Sequence, residues 1–130
     1  MVAIPKLKTA LIILMATLFV LYGYGCHLIF SGVRRIAEEA QAAYTGEPVV
    51  ALIALVEDEQ APFEKRNSAI WALGQIGDKR ARPVLEKLDT GEKQQPPYDS
   101  TAYIVQYSVE KSLKQINGFT VTRWMYRWLD

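Results

Sequence analysis

Lys65-Arg66-Asn67-Ser68-Ala69-Ile70-Trp71-Ala72-Leu73-Gly74-Gln75-Ile76-Gly77-Asp78, continued by Lys79-Arg80-Ala81-Arg82-Pro83-Val84-Leu85-Glu86-Lys87-Leu88, decides the fold. Ala69, Ala72, Leu73 and Ile76 recur at helical spacing, which predicts a helix from Phe63 to Ile76. Gly77 supplies a stop, and Asp78 is suited to cap the next helix, whose apolar stripe is Val84, Leu85 and Leu88. Two striped helices joined by a Gly-Asp turn make a helical hairpin, so the fold class is all-α.

The same grammar extends in both directions. Upstream, Pro48 suits a first helical turn, and Val49, Leu52, Ile53 and Val56 share a face before Asp58-Glu59-Gln60-Ala61-Pro62 breaks the helix. Downstream, Gly91 and the loop Lys93–Tyr98 precede a helix opened by Asp99 or Ser100, with a stripe of Val105, Val109, Leu113 and Ile116. Asn117-Gly118 ends it, and a short last helix sets Val121, Trp124, Met125, Trp128 and Leu129 on one side. Laid over itself at an offset of 40, the chain matches Leu73 to Leu113, Gln75 to Gln115, Ile76 to Ile116, Leu85 to Met125 and Leu88 to Trp128. Two helices per unit of about 40 residues is the period of HEAT-type solenoids. Residues 47–130 are therefore expected to form a short α-solenoid of about two and a half hairpins.

Residues 65–88 closely resemble a HEAT-like repeat of the phycobilisome-lyase type, through an Arg, small residues at close-packing positions, Ala-Leu-Gly, Ile-Gly-Asp, then Pro and a Leu stripe. Pro48 to Asp58 resembles the second helix of a preceding unit. Residues 101–129 resemble a degenerate following unit that lacks the family's Arg, Ala and Gly at 106, 112 and 114. The resemblance implies an α-solenoid used for protein binding. Some members attach or isomerise bilins, so a small bilin lyase-like enzyme is the alternative reading. The Arg of such repeats is expected to hold an acidic residue of the preceding turn, here Arg66 with Asp58.

Ahead of the repeats, Thr9 to Val33 contains no charged residue, flanked by Lys6 and Lys8 before and Arg34 and Arg35 after. A bilayer core of about 30 Å needs about 20 apolar residues as helix, so 9–33 is expected to span a membrane once. Apolar character continues through Leu28-Ile29-Phe30, past the reach of a cleaved signal peptide. Residues 1–44 thus read as a transmembrane helix with a helical stalk ending at Thr45-Gly46. Two basic residues flank each side, and the short leader with its two lysines favours a cytoplasmic N-terminus. The soluble part is then expected on the non-cytoplasmic side, in a single-pass membrane protein.

Composition narrows the chemistry. The chain has 130 residues, 50% of them hydrophobic, with 15 Lys+Arg against 14 Asp+Glu, one Cys and one His. No internal disulfide or Cys-based zinc site is available, and neither a metal nor a cofactor is expected. From position 34 onward 13 basic residues face 14 acidic ones, which argues against nucleic acid as a partner. Cys26, behind Gly23-Tyr24-Gly25, matches a lipoprotein cleavage site poorly. Glu57-Asp58-Glu59 reads as a solvated helix end rather than an acid/base pair. No catalytic residue is assigned, and the expected role is a protein-interaction scaffold: an accessory subunit or assembly factor of a larger membrane complex. The partner-binding candidates are Trp71, Arg123, Trp124, Tyr126, Arg127 and Trp128, because aromatics and Arg dominate interface hot spots. For Trp71 the competing role is packing on a neighbouring helix. For Trp124 and Trp128 it is closing the open end of the repeat stack.

Overall fold

A computed structural model describes residues 3–91, 100–120 and 122–128, with the main chain alone at 3, 4, 100 and 128. The described residues form helices and no strand: α1 (Ala3–Ala43), α2 (Pro48–Glu57), α3 (Phe63–Ile76), α4 (Arg82–Leu88) and α5 (Ser100–Asn117). Short 3-10 helices cover Lys79–Ala81 and Arg123–Trp128. The chain divides into two compact units, Met1–Gly32 and Val33–Asp130.

The first unit is the apolar part of α1. Its large side chains, Ile12, Met15 and Phe19 among them, are exposed around the helix. Apolar residues on all sides suit a helix whose surroundings are themselves apolar. Mean hydropathy reaches 1.9 over the best window of this helix, which is long enough to cross a membrane. Thr9 Oγ1 donates to the Pro5 carbonyl and Thr17 Oγ1 to the Ile13 carbonyl, each at 2.9 Å. Both hydroxyls are thus satisfied inside the helix, as hydrocarbon would require. Cys26 is a buried free thiol, and His27 is exposed.

The second unit is built around α3, which packs against both α2 and α5, while α4 packs against α5. Neighbour-to-neighbour packing of this kind is what stacked hairpins require. Leu52, Val56, Ala69, Ala72, Leu73, Leu85, Val109 and Ile116 form its core, each fully or almost fully buried. The end of α1 also belongs to it: Val33, Ala37 and Ala40, one helical stripe, are buried, so the expected stalk is part of the packed unit.

Three sequence expectations change in detail. On α2 the buried set is Pro48, Val49, Ala51, Leu52, Leu55 and Val56, with Ile53 only half-buried. On α5 the buried face is Val109, Ser112 and Ile116, leaving Val105 and Leu113 half-buried. The reason is Gly74: a Cβ there would lie 2.5 Å from Ser112 Oγ and 2.7 Å from Ser112 Cβ. Glycine lets α5 approach α3 closely, and Ser112 Oγ donates to the Ile70 carbonyl at 2.9 Å. Gln75, outside the predicted stripe of Ala69, Ala72, Leu73 and Ile76, is nevertheless buried at 9% exposure, with Thr122 Oγ1 3.5 Å from its Oε1. The loop expected at Lys93–Tyr98 lies outside the described residues.

Candidate partner-binding site

The α3–α4 joint sets the floor of the site. Gly77 takes a left-handed conformation (φ 70°), and its N–H returns to the Leu73 carbonyl, closing α3. Asp78 Oδ1 accepts from the Arg80 backbone N–H at 2.8 Å, capping the next turn. The Asp78 carboxylate also holds the Arg80 guanidinium (2.8 Å), which reaches Glu47 at 3.1 Å. The Arg80 contact holds Asp78 below the usual carboxylate range and, with Glu47, raises Arg80 further above its own. The joint is thereby tied to the start of α2.

The chain returns over this joint after α5. Gly118 ends that helix, with its N–H bonded to the Lys114 carbonyl at 2.9 Å. Arg123 then lays its guanidinium on Gly77, where a Cβ would lie 2.8 Å from its Cζ. Its Nη2 donates to the Gln115 carbonyl, satisfying one of the exposed carbonyls of the last turn of α5. Arg123 is therefore a fastener of the C-terminal segment to α3 and α5.

Between these parts lies a cleft of about 460 Å³. Pro48, Val49, Ile76 and Phe119 give it apolar walls, and Trp124 and Tyr126 stand along it. Among the described residues its charged groups are Arg80, Arg123 and Arg127 against Asp78. Phe119 is 87% exposed and Trp124 59%, whereas Tyr126 is buried at 6%.

Four sequence candidates, Arg123, Trp124, Tyr126 and Arg127, are thus brought together. Trp71 does not line this cleft; it is half-buried on α3. The side chain of Trp128 and all of Val121 lie outside the described residues. The expected α-helical stripe of Trp124 and Met125 is replaced by a 3-10 helix. With three residues per turn, Trp124 comes into line with Arg127 rather than with residue 128. Tyr126, not Trp124, is the side chain that packs inward. Phe119, Val49 and Arg80 were not among the candidates. Phe119 carried a signal, a large apolar residue directly after the helix-ending Gly118, but the other two become neighbours only through the tertiary fold.

A second cleft, of about 390 Å³, runs beside the end of α1 between Arg35, Glu39 and Tyr44 on that side and Asp58 and Lys65 on the other. Here the expected Arg66–Asp58 pair is corrected. Arg66 Nε donates to the Val56 carbonyl at 3.0 Å, at the C-terminal end of α2 where carbonyls lack helical partners. Asp58 instead accepts from the Tyr44 hydroxyl at 2.5 Å and the Gln60 N–H at 2.9 Å. These bonds hold Asp58 below the usual carboxylate range, Arg66 adding a smaller push, and the Asp58 contact raises Tyr44. Glu57 and Glu59 on either side are exposed.

Position 106, equivalent to Arg66 under the 40-residue offset, repeats this role. Gln106 Nε2 donates to the Leu88 carbonyl at 2.7 Å, and its Oε1 accepts from the Thr90 N–H at 3.1 Å. The repeat therefore keeps a function, capping the end of the preceding helix, where the residue itself has changed.

Against known families, residues 65–89 match PBS lyase HEAT-like repeat. No curated protein and no solved structure matches the chain.

Proposed function

We propose that this chain is a membrane-tethered protein-binding module: a short HEAT-like solenoid held at the bilayer by α1, acting as an accessory subunit or assembly factor rather than as an enzyme. The observation that carries the reading is the union in one chain of a HEAT-like repeat at 65–89 with a helix long and apolar enough to span a membrane. Repeats of this kind present surfaces assembled from stacked hairpins, which suit extended protein contacts. The aromatic and arginine-rich cleft supplies the residue types that dominate binding energy at such contacts.

The test is purification of the full-length protein from native membranes in mild detergent, with identification of the chains that accompany it. A stoichiometric membrane-protein partner is the expected result. A monodisperse, partner-free protein carrying a bound chromophore would favour the lyase-like alternative. The soluble unit is assigned to the non-cytoplasmic side, so a phosphatase fused after Asp130 should be active. An inactive phosphatase beside a bright fluorescent fusion at the same position would reverse the orientation.

A further inference from the structure

We infer that the cleft between α2, the Gly77–Asp78 joint and the C-terminal 3-10 helix holds an acidic, apolar peptide segment of a partner protein; this inference rests on the protein-binding reading. Phe119 and Trp124 leave most of their ring surface uncovered beside Val49 and Ile76, a contiguous apolar seat of the kind that marks interaction sites. Charge decides the occupant. Among the described residues three guanidinium groups line the cleft against one carboxylate; Arg80 is held by Asp78 and Glu47, which leaves Arg123 and Arg127 with no carboxylate partner. Arg127 is exposed in line with Trp124, placed to meet a carboxylate next to an apolar side chain seated on the rings. Thr120 Oγ1 and the Nε of Arg123 itself are buried along the cleft without a hydrogen-bond partner among the described residues. Both can donate to an incoming carboxylate or carbonyl oxygen once side chains adjust. A second copy of the chain is disfavoured, because a two-fold contact would set the same cationic lining against itself.

The test holds full-length protein in nanodiscs of uncharged phosphatidylcholine and selects against a phage-displayed library of random peptides. Recovered peptides should carry Asp or Glu beside Leu, Phe or Trp. Their affinity, read by fluorescence anisotropy, should fall at least about tenfold for Arg127→Glu and for Phe119→Ala, and fall also as salt rises. Both substitutions alter exposed side chains, so an unchanged melting midpoint confirms that folding is not the cause. Selection of neutral or basic peptides, selection of none, or equal affinity in both variants would overturn the inference. Phosphatidylserine vesicles in place of peptides, bound with the same dependence on Phe119 and Arg127, would assign the cleft to lipid and overturn it too. Partner chains that still co-purify with both variants would sink the cleft while leaving the protein-binding reading standing. Absence of any partner from the unaltered protein would remove that reading itself.

Discussion

Gly74 and Gly77 show how single residues set this fold, for two different reasons. Gly74 has ordinary helical geometry, but a methyl group there would strike Ser112 and Gln115, so Gly74→Ala should force α3 and α5 apart. Overpacking of this sort costs about 1–3 kcal/mol. Gly77 is left-handed and lies under Arg123, so Gly77→Ala combines about 1–2 kcal/mol of backbone strain with a displaced guanidinium. Thermal or urea melts of the second unit check both, and a Gly74→Ala protein that melts with the unaltered one would show that α5 does not sit where described. Leu73→Ala, fully buried, should cost about 2–5 kcal/mol. Lys114 illustrates the converse. It occupies the place of Gly74 under the 40-residue offset, yet it is exposed and pairs with Glu110 at 2.8 Å. No further helix among the described residues presses on it, so the small residue is not needed there. A sequence comparison registers position 114 as degeneracy; packing explains it by the exposed surface on which Lys114 lies.

Between elements, the ends of helices are where the repeat does its work. Arg66 and Gln106 each donate to the carbonyl end of the preceding helix. Arg66→Gln should therefore retain most of the stability that Arg66→Ala loses, about 1–2 kcal/mol in a melt. Equal losses for the two would mean that the charge, not the hydrogen bond, matters at this site. The Tyr44–Asp58 bond ties the end of α1 to the end of α2 and makes stability depend on pH. Asp58 is lowered on folding, so its contribution is complete above the ordinary Asp value of 3.8 and is lost as pH falls through the lowered one. Tyr44 is raised, so its contribution holds below 10.0 and is lost as pH rises beyond it. The pair's contribution to the melting midpoint should be level from about pH 5 to pH 9 and fall on both sides, and Asp58→Asn should shrink both limbs, leaving on the acid side what the Arg80-held Asp78 contributes. Limbs unchanged by Asp58→Asn would refute the bond's role. Helix spacing, the Gly77 stop and the Asp78 cap were legible in the sequence because each is a local rule. The partners of Arg66 and Asp58 were not, since charge pairing was assumed where an orphan carbonyl competed better. Gln75 and Leu113 were misplaced for a related reason: period alone fixes a helix face to about one residue, and the close approach at Gly74 chose the neighbouring rotation. The candidate site was legible as a composition, Arg and aromatics near the C-terminus, but not as a cleft, because Val49 and Arg80 reach it only through tertiary packing.

For the whole molecule, the packed unit begins at Val33, within α1. A chain starting at Glu47 lacks Val33, Ala37 and Ala40, all buried, together with the Tyr44–Asp58 bond. It should melt below a chain starting at Val33, while both lack the apolar helix and partition to the aqueous phase. Equal melting of the two chains would show that the end of α1 adds nothing to the unit.

The proposed function requires that α1 hold at a membrane a unit whose aromatic cleft engages another protein. Photo-crosslinking from a benzoylphenylalanine at position 119, in membranes isolated from the native host and washed with carbonate, tests both halves together. The chain should remain in the washed membrane pellet and give one discrete protein adduct, lost with Arg127→Glu. A chain released by carbonate, or one that stays but forms no protein adduct, would contradict the proposed function.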